Sequence, residues 1–167
     1  GAHYTSNTWV KNNIFATDCQ TWIKLVIGAK TIDEWAVKPG ASYEIWQNTK
    51  KESGVYKDGK LVGVDFTNPN ILGRPSVISA EWTFGAIMAC LVDAEYYKNT
   101  NPTWAQSLIA DAKSMYQGLK ELKVVRPDWT SYKYASNENI AQTGHGWFCP
   151  PNPTVSLASA AWAALLD

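Results

Sequence analysis

Residues 79–97 read SAEWTFGAIMACLVDAEYY, and this stretch decides the fold. It predicts a helix that is capped by Ser76 or Ser79 and carries an almost continuous apolar run from Glu81 to Tyr97. The predicted apolar face consists of Phe84, Ile87, Met88, Leu91 and Val92. Since a helix that is apolar around most of its circumference is buried on most sides, we expect this helix to lie at the centre of the molecule.

Helical patterns continue on both sides of this stretch. The other predicted helices cover residues 17–28, 41–51, 102–122 and 157 onward, with a short amphipathic piece around Ile32 and Trp35. Thr17, Asn101 and Ser156 are the predicted caps, and Pro102 suits the first position of a helix. The sequence therefore predicts a mainly α chain of about five helices.

Two of the connections between these helices are long. The first contains Asp58-Gly59 between the alternating residues 55–62, which is a strong signal for a β-hairpin. The second covers about residues 127–153 and is rich in Tyr, Asn, Gly and Trp. Because a short connection separates the two long ones, we expect both to lie at the same end of the helical array, where functional loops usually gather.

Composition restricts the classes of function. The chain is 46% hydrophobic and 18% charged, which is typical of a folded domain, and its 15 basic side chains balance 15 acidic ones. A neutral chain lacks the basic surface that nucleic acid or anionic lipid requires, and no apolar run is long enough for a membrane span. The sequence therefore predicts no nucleic-acid partner and no membrane partner.

The cysteines and common motifs indicate neither a cofactor nor a metal. Cys19 and Cys90 fall in apolar helical stretches and are interpreted as buried free thiols, with a disulfide to Cys149 or to another chain as the alternative. Phosphate-binding glycine loops, GxSxG motifs and CxxC pairs are absent from the sequence. We therefore expect no cofactor and no metal site.

Three blocks of the sequence resemble a known superfamily. They are Val77-Ile78-Ser79-Ala80-Glu81-Trp82-Thr83-Phe84-Gly85-Ala86, Gly146-Trp147-Phe148-Cys149-Pro150-Pro151 with Ser156-Leu157-Ala158-Ser159-Ala160-Ala161-Trp162, and Thr17-Asp18-Cys19-Gln20-Thr21-Trp22. Together they resemble the C-terminal half of an (α/α)6-barrel of the six-hairpin glycosidase-like superfamily. The resemblance implies that residues 1–167 form a single helical domain: helical hairpins of an (α/α) toroid, a partial barrel with one small β-hairpin in a long loop.

Such a toroid has more helices than this chain encodes. The chain is then either a fragment or one member of a pair whose second chain completes the toroid, or it is a smaller helical domain that self-associates. A central helix that is apolar on most sides favours a missing partner.

The best carboxylate pair for glycoside hydrolysis is Asp65 with Glu81. This reaction requires one carboxyl group that stays protonated and a second one that stays ionised. Glu81 lies in the first turn of the central helix beside Trp82, and Asp65 follows the predicted hairpin. The alternative is structural, because acids are favoured in first helical turns and in caps.

The candidates for substrate binding are Trp82, Trp147, His145, Trp129 and Asp18. The three tryptophans lie at a helix start or on the long connections, where an indole ring either stacks on a sugar or packs beneath a loop. His145 lies between two glycines and suits a hydrogen bond to substrate. Asp18 is either a binding residue or a first-turn acid. By contrast, Trp22, Trp104 and Trp162 fall in apolar helical stripes and are predicted to belong to the core.

These features lead to one main hypothesis and several alternatives. The main hypothesis is a glycoside hydrolase that acts on an oligo- or polysaccharide, so that a carbohydrate is the expected partner. The sequence leaves the location open, with a secreted or extracytoplasmic one as the candidate. The alternatives are a glycan-binding module without catalysis, a structural subunit, and a polysaccharide lyase that uses Tyr134 and His145.

Overall fold

The structure is a computed structural model that describes residues 2–5, 7–11 and 13–166, with side chains described at residues 7, 8 and 13–166. Its helices are α1 (Thr17–Ile27), α2 (Ala29–Trp35), α3 (Ala41–Ser53), α4 (Ala80–Tyr97), α5 (Pro102–Leu119) and α6 (Leu157–Leu166). The mainly α prediction is confirmed. The short amphipathic piece around Ile32 is a helix of its own, α2.

The strands are short and form small antiparallel sheets. They are β1 (Ala2–Thr5), β2 (Thr8–Lys11), β3 (Gly54–Lys57), β4 (Lys60–Val64), β5 (Lys123–Val125), β6 (Thr130–Lys133), β7 (Ala141–Gln142), β8 (Phe148–Cys149) and β9 (Val155–Ser156). The pairs β1–β2, β3–β4 and β7–β8 are hairpins, and β6 lies between β5 and β9. The sequence did not predict β1, β2 or the strands after α5.

Helix α4 is the central helix. It packs against α5, α1 and α6, and all residues from Phe84 to Ile87 are buried. Leu91 and Val92, however, are 41% and 40% exposed, so this part of the predicted apolar face is wrong. In the later turns of α4 the side that faces the core includes Asp93 instead, because an ion pair with Lys24 allows this carboxylate to be buried.

This ion pair joins three helices. Lys24 of α1 is 1% exposed, and its Nζ donates to Asp93 Oδ2 at 2.6 Å and to the Ser42 carbonyl oxygen at 2.7 Å. Ser42 Oγ donates to the same Asp93 oxygen at 2.9 Å. Buried charges are tolerated when they are paired and hydrogen-bonded, so this cluster links α1, α3 and α4 inside the core.

The helix starts agree in part with the predicted caps. Ser79 Oγ accepts a hydrogen bond from Trp82 N, and the Asn101 side chain accepts one from Trp104 N ahead of Pro102. These two caps are confirmed. Thr17 is not a cap, because it is already the first residue of α1 and is fully buried.

The predicted hairpin is confirmed as β3–β4. Asp58 and Gly59 both have positive φ, 51° and 73°, which is the geometry of a type I′ turn. The turn matches the right-handed twist of the two flanking strands.

The two long connections meet at the N-terminal end of α4. Ser79 and Ala135 form an isolated antiparallel bridge, Ile78 N donates to Ser136 Oγ at 2.8 Å, and Ser136 N donates to the Ile78 carbonyl oxygen at 3.0 Å. The side chains of both connections are thereby brought together above α4. The partial toroid stays a prediction. Within residues 2–5, 7–11 and 13–166, no helix combines the length and the apolarity that a membrane span requires.

Candidate functional site

Two carboxylates lie at the N-terminal ends of neighbouring helices. Asp18 is the second residue of α1, Glu81 is the second residue of α4, and the two helices pack against each other. Both side chains are partly buried. The packing of α1 on α4 therefore brings together two acids that are far apart in the sequence.

The surroundings of Glu81 raise the pKa of its carboxyl group. Burial raises the pKa of this carboxyl group above its usual value, and the negative charge of Asp18 raises the pKa further. Both causes oppose ionisation. They act against the first-turn amides of α4, which favour a negative charge, so Glu81 holds its proton to a higher pH than an exposed glutamate does.

The Asp18 side chain is hydrogen-bonded within the first turn of its own helix. Its Oδ1 accepts a hydrogen bond from Cys19 N at 2.8 Å, within the first turn of α1. The helix dipole favours negative charge at this position. Cys19 is exposed, contrary to its interpretation as a buried thiol, because it lies on the outer side of the first turn; Cys90 and Cys149 are buried.

Four aromatic rings pack against one another at the N-terminal end of α4. The centroid of Phe66 lies 4.9 Å from that of Trp82 and 5.3 Å from that of Trp147, edge to face in both cases. The centroid of Tyr134 lies 5.9 Å from that of Trp147, and the pKa of Tyr134 is raised by burial and by the charge of Glu81. We call these four rings the wall, and Tyr134 is its member that lies near enough to Glu81 to respond to its charge.

A glycine-flanked turn presents His145 to the same wall. Gly144 and Gly146 both have positive φ, 82° and 85°, which side chains rarely adopt. The imidazole centroid lies 5.4 Å from that of Trp82, and Nε2 donates to the Phe66 carbonyl oxygen at 3.1 Å. Thr17 N donates to the same oxygen at 3.3 Å, so Phe66 links His145 to the start of α1.

Asp65 lies behind this wall in a different setting. It is fully buried, and Arg74 binds it with two hydrogen bonds, from Nη2 to Oδ1 at 2.6 Å and from Nη1 to Oδ2 at 2.8 Å. Phe66 N and Val77 N donate to the same two oxygens at 2.6 and 2.8 Å. Arg74 Nε also donates to the Gln142 carbonyl oxygen at 2.6 Å, so this ion pair joins the two long connections.

The structure thus brings together most of the side chains that the sequence nominated. Glu81, Asp18, Trp82, Trp147 and His145 belong to one cluster. Trp82 is buried, with 6% of its surface exposed, whereas Trp147 is partly buried.

Trp129 lies elsewhere, in the turn between β5 and β6, and is 43% exposed. Two residues of the cluster, Phe66 and Tyr134, were not among the predicted site residues of a hydrolase. Their aromatic character was the only local signal, because their position depends on contacts between the two long connections.

We also looked for groups of metal-binding side chains and for similar proteins. Among the residues that the structure describes, His, Cys, Asp and Glu side chains do not gather in groups of three or more that could bind a metal ion. Comparison of the chain with protein-family models, with characterised proteins and with solved structures finds no match. The candidate function therefore rests on the geometry of the site.

Proposed function

We propose that the N-terminal ends of α1 and α4 form the active site of a glycoside hydrolase, with Glu81 as general acid and Asp18 as the second carboxylate. The observation that carries this proposal is Glu81 itself, a partly buried carboxyl group whose pKa is raised by burial and by Asp18. A general acid in glycoside hydrolysis must keep its proton near the working pH, while its partner stays ionised. Glu81 supplies the group that keeps its proton to a higher pH, and Asp18 is the neighbouring carboxylate.

Asp18 takes the place of Asp65 in the proposed pair. All four hydrogen bonds to the Asp65 oxygens come from the protein, and the side chain has no exposed surface. A carboxylate in that setting reaches neither a sugar nor a water molecule. Asp18 is partly exposed, and its negative charge acts on Glu81.

Trp147 is the ring that we propose for sugar stacking. It retains exposed surface and is fixed edge to face by Phe66 and Tyr134. A rigid, partly exposed indole suits the apolar face of a sugar ring. Trp82 is too deeply buried for that contact and supports Phe66 and His145 from below.

The polysaccharide lyase alternative has less support. A lyase needs a base that gives up its proton readily, but burial and the Glu81 charge raise the pKa of Tyr134. His145 Nε2 already donates to the Phe66 carbonyl oxygen. A uronate substrate would also add a negative charge beside two carboxylates.

Substitution of Glu81 tests the proposal. We expect Glu81→Gln to lower kcat on the best substrate among soluble glucan, mannan and xylan by about 10²–10⁴-fold, because the amide cannot protonate the leaving group. Binding of the same polysaccharide should persist. The matched control is Glu95→Gln, which changes an exposed acid in the last turn of the same helix and should leave kcat unchanged.

Substitution of Asp18 separates a chemical role from a structural one. Asp18→Asn removes the proposed second carboxylate, so kcat should fall as it does in Glu81→Gln. It also removes a negative charge that raises the pKa of Glu81, so the alkaline limb of the residual kcat/KM profile should move to lower pH, which a purely structural role would not cause. Equal turnover by wild type and Glu81→Gln would contradict the acid role. Binding of polysaccharide without turnover by the wild type would favour the glycan-binding module instead.

A further inference from the structure

The β7–β8 hairpin has one outer side that no other part of its sheet covers. Gln142 lies directly opposite Phe148, so their side chains share a face, and both are exposed; Ala141 and Cys149 are the buried pair. Ile140 lies directly before β7 and is also exposed. We call the surface of Ile140, Gln142 and Phe148 the hairpin face; Ile140 is 66% exposed and Phe148 is 60% exposed.

Two cavities border the hairpin face. The larger has a volume of about 520 Å³ and lies between residues 74–77 and 136–142. The smaller has a volume of about 240 Å³ and is lined by Gln142, Gly144, Gly146, Trp147 and Phe148. Because Gln142 lines both, the cavities adjoin along the hairpin. Trp147, one of the residues that line the smaller cavity, also packs against Phe66 and Tyr134.

The lining favours an uncharged, hydroxyl-rich ligand. Its polar side chains are mostly hydroxyls and amides, from Ser76, Ser136, Asn137, Asn139 and Gln142. Asn137 is not available to a ligand, because it is buried and its amide already binds the Asn139 and Pro150 carbonyl oxygens and the Cys149 thiol. Among the described residues that line the two cavities, Arg74 is the one cation, and Glu138 is an acid.

Arg74 has little capacity left for a ligand. Four of the five N–H groups of a guanidinium are already committed, to the two Asp65 oxygens and to the carbonyl oxygens of Gln142 and Pro75. The negative charge of Glu138 would therefore repel an anionic polysaccharide, and no free cation in the described lining would offset this repulsion. A neutral polysaccharide can instead form hydrogen bonds from its hydroxyl groups to the Asn139 and Gln142 amides and stack on the exposed Phe148 ring.

We propose that the hairpin face and its two cavities bind successive units of a neutral polysaccharide chain whose cleaved bond lies at Glu81. This inference rests on the proposed hydrolase function and adds to it the substrate class and the path of the chain. Phe148 stacks on one sugar ring, and the Gln142 amide binds hydroxyl groups beside it. The enzyme then favours long chains over short ones.

The test measures affinity against chain length. In the Glu81→Gln background, we would titrate hexasaccharides and disaccharides of the gluco, manno and xylo series, with hexagalacturonate as the anionic probe. Phe148→Ala and Gln142→Ala should each raise Kd for the best neutral hexasaccharide by about tenfold and leave disaccharide affinity unchanged. The control is Tyr56→Ala, which removes an exposed ring, 55% exposed, from the β3–β4 hairpin.

The outcomes separate this inference from the hydrolase proposal. Unchanged hexasaccharide affinity in both variants would overturn the inference, even if disaccharide or polysaccharide cleavage proceeds and the hydrolase proposal stands. Tighter binding of hexagalacturonate than of any neutral hexasaccharide, or no neutral hexasaccharide binding at all, would also overturn it. If Phe148→Ala weakens hexasaccharide binding although the wild type cleaves no glycan, the path of the chain is supported and the hydrolase proposal fails.

Discussion

At the scale of single residues, Asp65 of the first long connection and Glu81 of the central helix have neighbours of opposite charge. Asp65 is neutralised by Arg74, whereas the charge beside Glu81 is another acid, Asp18. Asp65 has no exposed surface and Arg74 is 12% exposed, so removal of either partner leaves a largely buried charge, which costs several kcal/mol. Asp65 therefore supports the site from behind, and Glu81 faces it.

Removal of one partner of this ion pair should destabilise the protein strongly. We expect Asp65→Asn to lower the free energy of unfolding by about 3–5 kcal/mol, because Arg74 keeps its charge and loses its counter-ion. Chemical denaturation monitored by circular dichroism measures the change. Lys57 and Glu121 form an exposed pair, so Glu121→Gln is the control and should change stability by less than about 1 kcal/mol. A loss in Asp65→Asn no larger than in this control would contradict the structural role of the pair.

At the scale of elements, the first long connection is held by a close approach to α5. A methyl group added at Gly118 would lie 2.0 Å from the Val62 carbonyl oxygen, so the side of α5 at this glycine touches the backbone of β4. Ser114 Oγ donates to the Leu61 carbonyl oxygen at 2.6 Å one turn earlier. Strand β4 can therefore pack this closely on α5 only because residue 118 has no side chain.

Gly118→Ala should reverse the usual effect of alanine in a helix. Alanine normally stabilises a helix by about 0.5–1 kcal/mol relative to glycine. Here we expect a loss of about 1–3 kcal/mol, because the carbonyl of Val62 is backbone and cannot rotate away. The thermal midpoint compared with that of Gln117→Ala, at the exposed neighbouring position, measures this loss. A gain in stability would show that β4 moves freely over α5.

The sequence predicted correctly those elements whose structure is set by residues close together in the chain. The β3–β4 turn follows from Asp58-Gly59, and the start of α4 follows from Ser79 as its cap. The site could be predicted only in part, because sequence spacing does not report which acid meets Arg74. Likewise, local spacing does not report that Trp46 of α3 is fully buried or that its Nε1 donates to Asp111 Oδ2 of α5 at 2.8 Å.

At the scale of the whole molecule, α6 is less covered than its composition suggests. Nearly all of its residues are apolar, yet Ser159 is the one fully buried residue among those described. Leu157 and Leu165 are 87% and 68% exposed on its outer side. The inner side is anchored by Trp162, whose ring lies 5.6 Å from that of Trp22 of α1.

Replacing the two exposed leucines should reduce association without weakening the fold. We expect Leu157→Lys with Leu165→Lys to shift the purified protein toward the monomer at high concentration, because contiguous exposed apolar surface promotes contact between molecules. Light scattering over a concentration series measures the shift. The thermal midpoint should stay within a few degrees of the wild type. A large drop would show that these leucines pack within the chain.

The bridge between the two long connections also bears on the order of folding. Helices α4 and α5 are joined by a four-residue turn, residues 98–101, and their contacts close over short stretches of chain. The contact of His145 with Phe66 closes a loop of 79 residues. Since local contacts form first and long loops close late, a chain caught early in folding would have its helical hairpin and no site. We therefore expect the proposed site to be among the last parts of the molecule to form.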